Sequence, residues 1–115
     1  MFKVGIIGGE NCESYVFFQT KCINILRNKA KQGEHIIIYT NGDNYVKKFS
    51  ETFGIETFTT SCDWKRDGKD ALKVFNENFL NSIDALILFD DGKANTNYLY
   101  NLATKKNLMI RKINL

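Results

Sequence analysis

Short apolar runs and amphipathic segments alternate along the whole chain. The strand-like runs occupy residues 2–7, 35–40, 55–60, 84–90 and 108–113. Between them, apolar positions recur with helical spacing in residues 15–30, 41–54, 71–79 and 95–105. The pattern therefore predicts four strand–helix units followed by a final strand.

The runs HIIIYT and DALILFD are largely apolar at consecutive positions, which is typical of strands that are covered on both faces. We therefore expect a parallel sheet with helices on each side. Right-handed crossovers leave few topologies for such a chain. The predicted fold is α/β: a single Rossmann-like doubly wound domain over residues 1–115, with a five-stranded parallel sheet in the order 3-2-1-4-5 and about four helices.

Side-chain spacing and capping signals give more detail on two helices. The second helix is expected to bury Tyr45, Val46, Phe49 and Phe53 and to end at a glycine. In the fourth helix, Asn95 or Thr96 is the expected N-cap, because their side chains can accept a hydrogen bond from the first turn.

Composition narrows the classes of partner. The net charge is +3 and the lysines are scattered, so we expect no nucleic-acid partner. Three widely spaced cysteines and one histidine indicate reduced thiols, without a metal site or a disulfide framework. The apolar run at the N-terminus is too short for a signal peptide or a membrane span, so we expect a cytoplasmic protein. The lack of proline and the abundance of Lys, Asn, Ile and Phe suggest an AT-rich bacterial or phage genome.

Two glycine-bearing loops are predicted to meet at one edge of the sheet. GGENCES follows the first strand and DDGKANT follows the fourth, and the strand order reverses between these strands. Gly8, Gly9 and Gly92 allow close approach of the backbone, and each loop leads into a helix N-terminus, where free N–H groups stabilise an anion. Ser14 and Thr96 add hydroxyl donors. These features indicate a phosphate or nucleotide site, although neither the dinucleotide fingerprint nor the P-loop is present.

Acidic residues near this edge have both catalytic and structural interpretations. Glu13 is explained as a favourable charge in the first turn of a helix, and Asp90 and Asp91 as turn formers at a strand end. Glu10 follows the glycine pair directly and has no such explanation. An enzyme would need a carboxylate close to a sugar, and the candidates for that role are Glu10, Asp63 and Asp90.

Five short motifs occur in the order found in a known superfamily. They are Gly8-Gly9-Glu10, Asn41-Gly42-Asp43, Cys62-Asp63-Trp64 with Gly68-Lys69, Phe75-Asn76, and Gly92-Lys93-Ala94-Asn95-Thr96. In this order they resemble the SLOG superfamily of Rossmann-like nucleotide-binding proteins, in its YspA-like (cpYpsA-related) branch. The resemblance implies a nucleotide-derived ligand that is bound through these motifs, by Gly8, Gly9, Glu10, Gly42, Asp63, Trp64, Lys69, Asn76, Gly92, Asn95 and Thr96.

The chain departs from the family pattern at several positions. Glu10 and Phe75 stand where the family has arginines, and Ala94 and Asn95 replace a serine and a glycine. Leu99 lies where the related LOG phosphoribohydrolases have a glutamate, so that reaction is not expected. The departures imply either an altered ligand preference or a site that has lost its ligand.

The segment after the third strand holds the single tryptophan and has two interpretations. Trp64 and Asp63 either wall the ligand pocket, as the resemblance implies, or form a structural lid. In the lid, Trp64 packs over the phenylalanines of the next helix and Asp63 accepts hydrogen bonds from backbone N–H groups. Lys69 lies near a helix start, where a cation is unfavourable, and this favours contact with an anion or an acid. Asn76 is either a ligand contact or a helix-surface residue.

Three functions are compatible with these residues. The first is binding of a nucleotide or nucleotide-derived small molecule, for sensing or sequestration. The second is a ligand-free homo-oligomeric module, with an apolar patch on the fourth helix as its contact face. The third is an enzyme that acts at an N-glycosidic bond, similar to nucleoside deoxyribosyltransferases. We rank binding first, and we expect a homo-oligomer with no cofactor and no membrane partner.

Overall fold

The computed structural model describes residues 1–115 and joins all the predicted strands in one sheet. The strands are β1 (Phe2–Ile7), β2 (Ile36–Thr40), β3 (Glu56–Thr59), β4 (Ala85–Asp90) and β5 (Met109–Asn114). The helices are α1 (Tyr15–Lys31), α2 (Asn44–Phe53), the one-turn α3 (Trp64–Asp67), α4 (Ala71–Asn81) and α5 (Ala94–Lys105). Neighbouring strands are all parallel and the order is β3-β2-β1-β4-β5, so the predicted topology is confirmed.

Helices cover the sheet on both faces. On one face, α1 and α2 pack an aromatic core in which the Phe18 ring contacts the rings of Phe49 and Phe89. On the other face, α4 and α5 pack against Leu86 and Leu88. β4 lies between these two layers and buries every residue from Ala85 to Phe89. This double burial is why β4 is apolar at consecutive positions.

Helix α5 begins one residue earlier than predicted. Its N-cap is Lys93, so the prediction of Asn95 or Thr96 at that position is wrong. The Asp91 carboxylate accepts hydrogen bonds from Lys93 N and from the Thr96 hydroxyl, at 3.0 Å each. Because these bonds fix the loop, the helix begins at Ala94.

Two aromatic side chains are more exposed than predicted. Trp64 is 60% exposed, so the part of the lid interpretation in which its side chain packs over the phenylalanines of the next helix is wrong. It begins α3, and Asp63 caps that helix by accepting from Arg66 N at 3.0 Å, as the lid interpretation expected. Phe53 is 46% exposed because it is the last residue of α2, where its ring contacts Phe49 and otherwise faces solvent.

Candidate functional site

A crevice of about 360 Å³ opens at the carboxyl ends of β1 and β2, beside α4 and the start of α5. Its polar lining consists chiefly of four carboxamides and two carboxylates: Asn11, Asn41, Asn76, Asn95, Glu10 and Asp43. Leu72, Phe75 and Leu99 contribute apolar surface. The volume lies at the lower end of the range for small-molecule sites, and the mixture of apolar walls with a few polar groups is typical of them.

The turn after β1 reaches this crevice because two glycines let it pack closely against its neighbours. Gly8 has a φ of +82°, and a Cβ atom there would lie 2.4 Å from the Phe89 carbonyl oxygen. A Cβ atom at Gly9 would lie 2.7 Å from the Phe18 ring. The turn is therefore pressed against the end of β4, which brings the predicted loops together.

Glu10 and Asp43 form a reciprocal clasp between this turn and the start of α2. Glu10 N donates to Asp43 Oδ2 at 3.0 Å, and Asn44 N donates to Glu10 Oε1 at 2.6 Å. Asp43 Oδ1 accepts from Tyr45 N and Val46 N at 2.9 and 3.3 Å. The protein's own carboxylates thus bind the first backbone N–H groups of α2, so these groups are not free to bind an anion.

Burial dominates the electrostatics of Asp43. Desolvation raises the pKa of this carboxyl above its ordinary value, and the negative charge of Glu10 adds to that effect. The backbone N–H donors of Glu10, Val46 and Tyr45 act in the opposite direction. The shift is upward because the cost of burying the charge exceeds the stabilisation from these hydrogen bonds.

At the start of α5, a third carboxylate lies close to the rim of the crevice. Asp91 holds the loop through Lys93 N and the Thr96 hydroxyl. The hydrogen bond from Lys93 N is the main reason why the pKa of Asp91 is lowered, with that of Thr96 adding to it. Negative charge of the protein itself therefore lies beside both helix starts that contribute to the crevice.

Asn76 is the most informative residue of the lining. It is 4% exposed, so its interpretation as a helix-surface residue is wrong. Its carboxamide lines the crevice, and none of the side-chain hydrogen bonds of the protein involves it. The hydroxyl of Tyr15 is the one buried side-chain polar atom without a hydrogen-bond partner, so the amide atoms of Asn76 are reached from the crevice. Its N–H donors and carbonyl acceptor are therefore available to a ligand.

About half of the ligand-binding residues predicted from the sequence line the crevice. Those in its lining are Gly8, Glu10, Gly42, Asn76, Asn95 and Thr96. Those outside the lining are Gly9, Asp63, Trp64, Lys69 and Gly92. Among the candidate catalytic acids, Glu10 lines the crevice, whereas Asp63 caps α3. Asp90 is engaged elsewhere, since its carboxylate accepts from Gly92 N at 2.8 Å and lies 3.4 Å from Lys112 Nζ.

Three polar residues of the lining were not named as ligand contacts, although Asn41 and Asp43 stand in one of the five motifs. Asn41 and Asp43 flank Gly42 directly after β2, and their position at the carboxyl end of a parallel strand was a usable signal. Asp43 also has the position of an N-cap for α2. Asn11 carries no comparable signal, because its place in the lining depends on the turn formed by Gly9–Asn11.

The structure contains no group of three or more His, Cys, Asp or Glu side chains arranged to hold a metal ion. The cysteines are free thiols, and burial raises the pKa of Cys12 to about 11. None of the helices combines the length and the apolar character needed to cross a bilayer. Comparison with family models, with curated proteins and with solved structures finds no match to this chain.

Proposed function

We propose that the protein binds a nucleotide or nucleotide-derived small molecule in the crevice between the turn after β1, the loop after β2, α4 and the start of α5. The observation that carries the proposal is Asn76, a buried residue whose carboxamide opens to the crevice and makes no side-chain hydrogen bond within the protein. A ligand that offers a donor and an acceptor can form hydrogen bonds with this amide that no protein group competes for.

The position and the lining of the crevice support this type of ligand. The crevice lies where the strand order reverses between β1 and β4, which is the usual place for ligands in doubly wound sheets. Leu72, Phe75 and Leu99 offer apolar surface for a planar base, while carboxamides match the hydrogen-bonding edges of bases. Asn76 also stands in one of the motifs that resemble the SLOG superfamily, which supports a nucleotide-derived ligand.

Calorimetric titration tests the proposal, with nucleosides, nucleotides, ADP-ribose, NAD and cyclic nucleotides as ligands. We expect at least one of them to bind, and Asn76→Leu to abolish binding. The same variant should keep the fold, because leucine and asparagine are similar in size, and the melting temperature of the unliganded protein checks this. Asn78→Leu is the matched control, since Asn78 is exposed on the same helix and lies outside the crevice. Unchanged binding by Asn76→Leu, or no binding of any ligand, would contradict the proposal.

A second candidate function rests on Glu10. Its carboxylate lines the crevice, and one of its oxygens accepts from Asn44 N, which leaves the other without a partner. A carboxylate in that position has the chemistry needed to attack or to stabilise a sugar at its N-glycosidic bond. Release of free base from nucleosides, and its loss in Glu10→Gln, would support an enzyme. Equal release by the variant would remove Glu10 from the mechanism.

A further inference from the structure

The charges that line the crevice are all negative. Glu10 and Asp43 contribute carboxylates, and the lining contains no lysine, arginine or histidine. The Asp43 carboxylate accepts from three backbone N–H groups, and these hydrogen bonds hold it in place at the start of α2. A phosphate group that entered this space would meet like charge and would find no cationic partner.

The lysines near the glycine motifs lie outside the lining. Lys93 follows Gly92 in the loop after β4, and its ammonium group lies 3.9 Å from the Asp91 carboxylate. Lys69 is exposed in the turn before α4. Neither lysine lines the crevice, and the family's two arginines are replaced by Glu10 and Phe75.

The groups that do line the crevice suit an uncharged ligand with hydroxyls and amide-like edges. The free oxygen of Glu10 can accept hydrogen bonds from sugar hydroxyls. Asn76 is buried and unpartnered, and it offers both donors and an acceptor to a base. We infer that the crevice selects a nucleoside, or another sugar–base unit without phosphate, over the corresponding phosphorylated nucleotide. This inference rests on the proposed function and names its ligand class.

Paired titrations test the selectivity. Each of the four common ribonucleosides is compared by calorimetry with its 5′-monophosphate, at low and at high salt. We expect the best nucleoside to bind at least about tenfold more tightly than its monophosphate, and the ratio to fall as salt screens the carboxylates.

Glu10→Gln isolates the charge, because the glutamine carbonyl can still accept from Asn44 N. This variant should bring the two affinities closer together, whereas Glu13→Gln should not, because Glu13 is exposed and lies outside the lining. A monophosphate that binds as tightly as its nucleoside would overturn this inference and leave the proposed function standing. Failure of every nucleoside and nucleotide to bind would overturn both.

Discussion

The turns after β1 and β4 share a local conformation but differ in their surroundings. Gly8 and Gly92 have φ values of +82° and +80°, so both occupy the left-handed region that favours glycine. A Cβ atom at Gly8 would meet the backbone of Phe89, whereas a Cβ atom at Gly92 would have no neighbour within 4 Å. A glycine motif therefore marks a backbone conformation, whereas its place in a site depends on tertiary packing.

The carboxylates that hold the two turns differ in the same way. Asp43 is buried and its pKa is raised by desolvation, whereas Asp91 lies near the surface and its pKa is lowered, mainly by the hydrogen bond from Lys93 N. Both carboxylates accept backbone hydrogen bonds beside a helix start. Their opposite shifts show that burial, and not the capping geometry, decides the sign.

Replacing the two glycines should give the largest contrast between the turns. We expect Gly8→Ala to lower the free energy of unfolding by about 4 kcal/mol, because it adds a backbone clash to the cost of a left-handed conformation. Gly92→Ala should cost only about 1 kcal/mol, from the conformation alone. Urea denaturation of both variants measures the two values. Equal losses would show that the turn after β1 is not pressed against β4.

Removal of the two capping carboxylates should give the next largest contrast. Asp43→Ala leaves the backbone N–H groups of Glu10, Tyr45 and Val46 without their acceptor, and we expect a loss of about 3 kcal/mol. Asp91→Ala should cost less, because water can replace an exposed acceptor. Thermal unfolding measures both, and amide exchange at Glu10 should accelerate in Asp43→Ala only. Unchanged exchange there would argue against the clasp.

Much of the fold follows from local sequence patterns. β2 and β4 are largely apolar at consecutive positions, and their need for cover on both faces leads directly to a parallel sheet with helices on each side. The right-handed crossover rule then limits the strand order to a few possibilities, of which 3-2-1-4-5 is the one found. These properties depend on residues that are close in sequence or on general rules of chirality, so a single sequence contains them.

The site is less predictable because its decisive contacts are long-range. The clasp joins Glu10 to Asp43 and Asn44, which lie more than thirty positions later in the sequence, and no local sequence pattern predicts it. Asn76 follows Phe75 on an amphipathic helix, and its burial depends on how the neighbouring loops and α5 cover that helix. Trp64 shows the opposite error, because the sequence predicted a packed side chain, in a lid or a pocket wall, and its side chain is mostly exposed.

The opposite pKa shifts of Asp43 and Asp91 imply opposite dependences of stability on pH. A carboxyl whose pKa is raised by folding binds its proton more tightly in the folded state, so its contribution to stability falls as pH rises from 3.8 through the folded value. A carboxyl whose pKa is lowered contributes stability that is present above 3.8 and is lost as pH falls through the folded value. Other titrating groups cancel when each protein is compared with its own asparagine variant.

The smallest expected effect is therefore a difference in slope, measured by urea denaturation across the acid range. The stability of the unmodified protein minus that of Asp43→Asn should decrease as pH rises above 3.8, by less than about 1.4 kcal/mol per pH unit for a single group. The same difference for Asp91→Asn should increase as pH rises towards 3.8 and then level off. Slopes of the same sign would mean that the two carboxylates have similar surroundings. That result would remove the distinction between a packed turn and an open one, because the buried position of Asp43 is what reverses its shift.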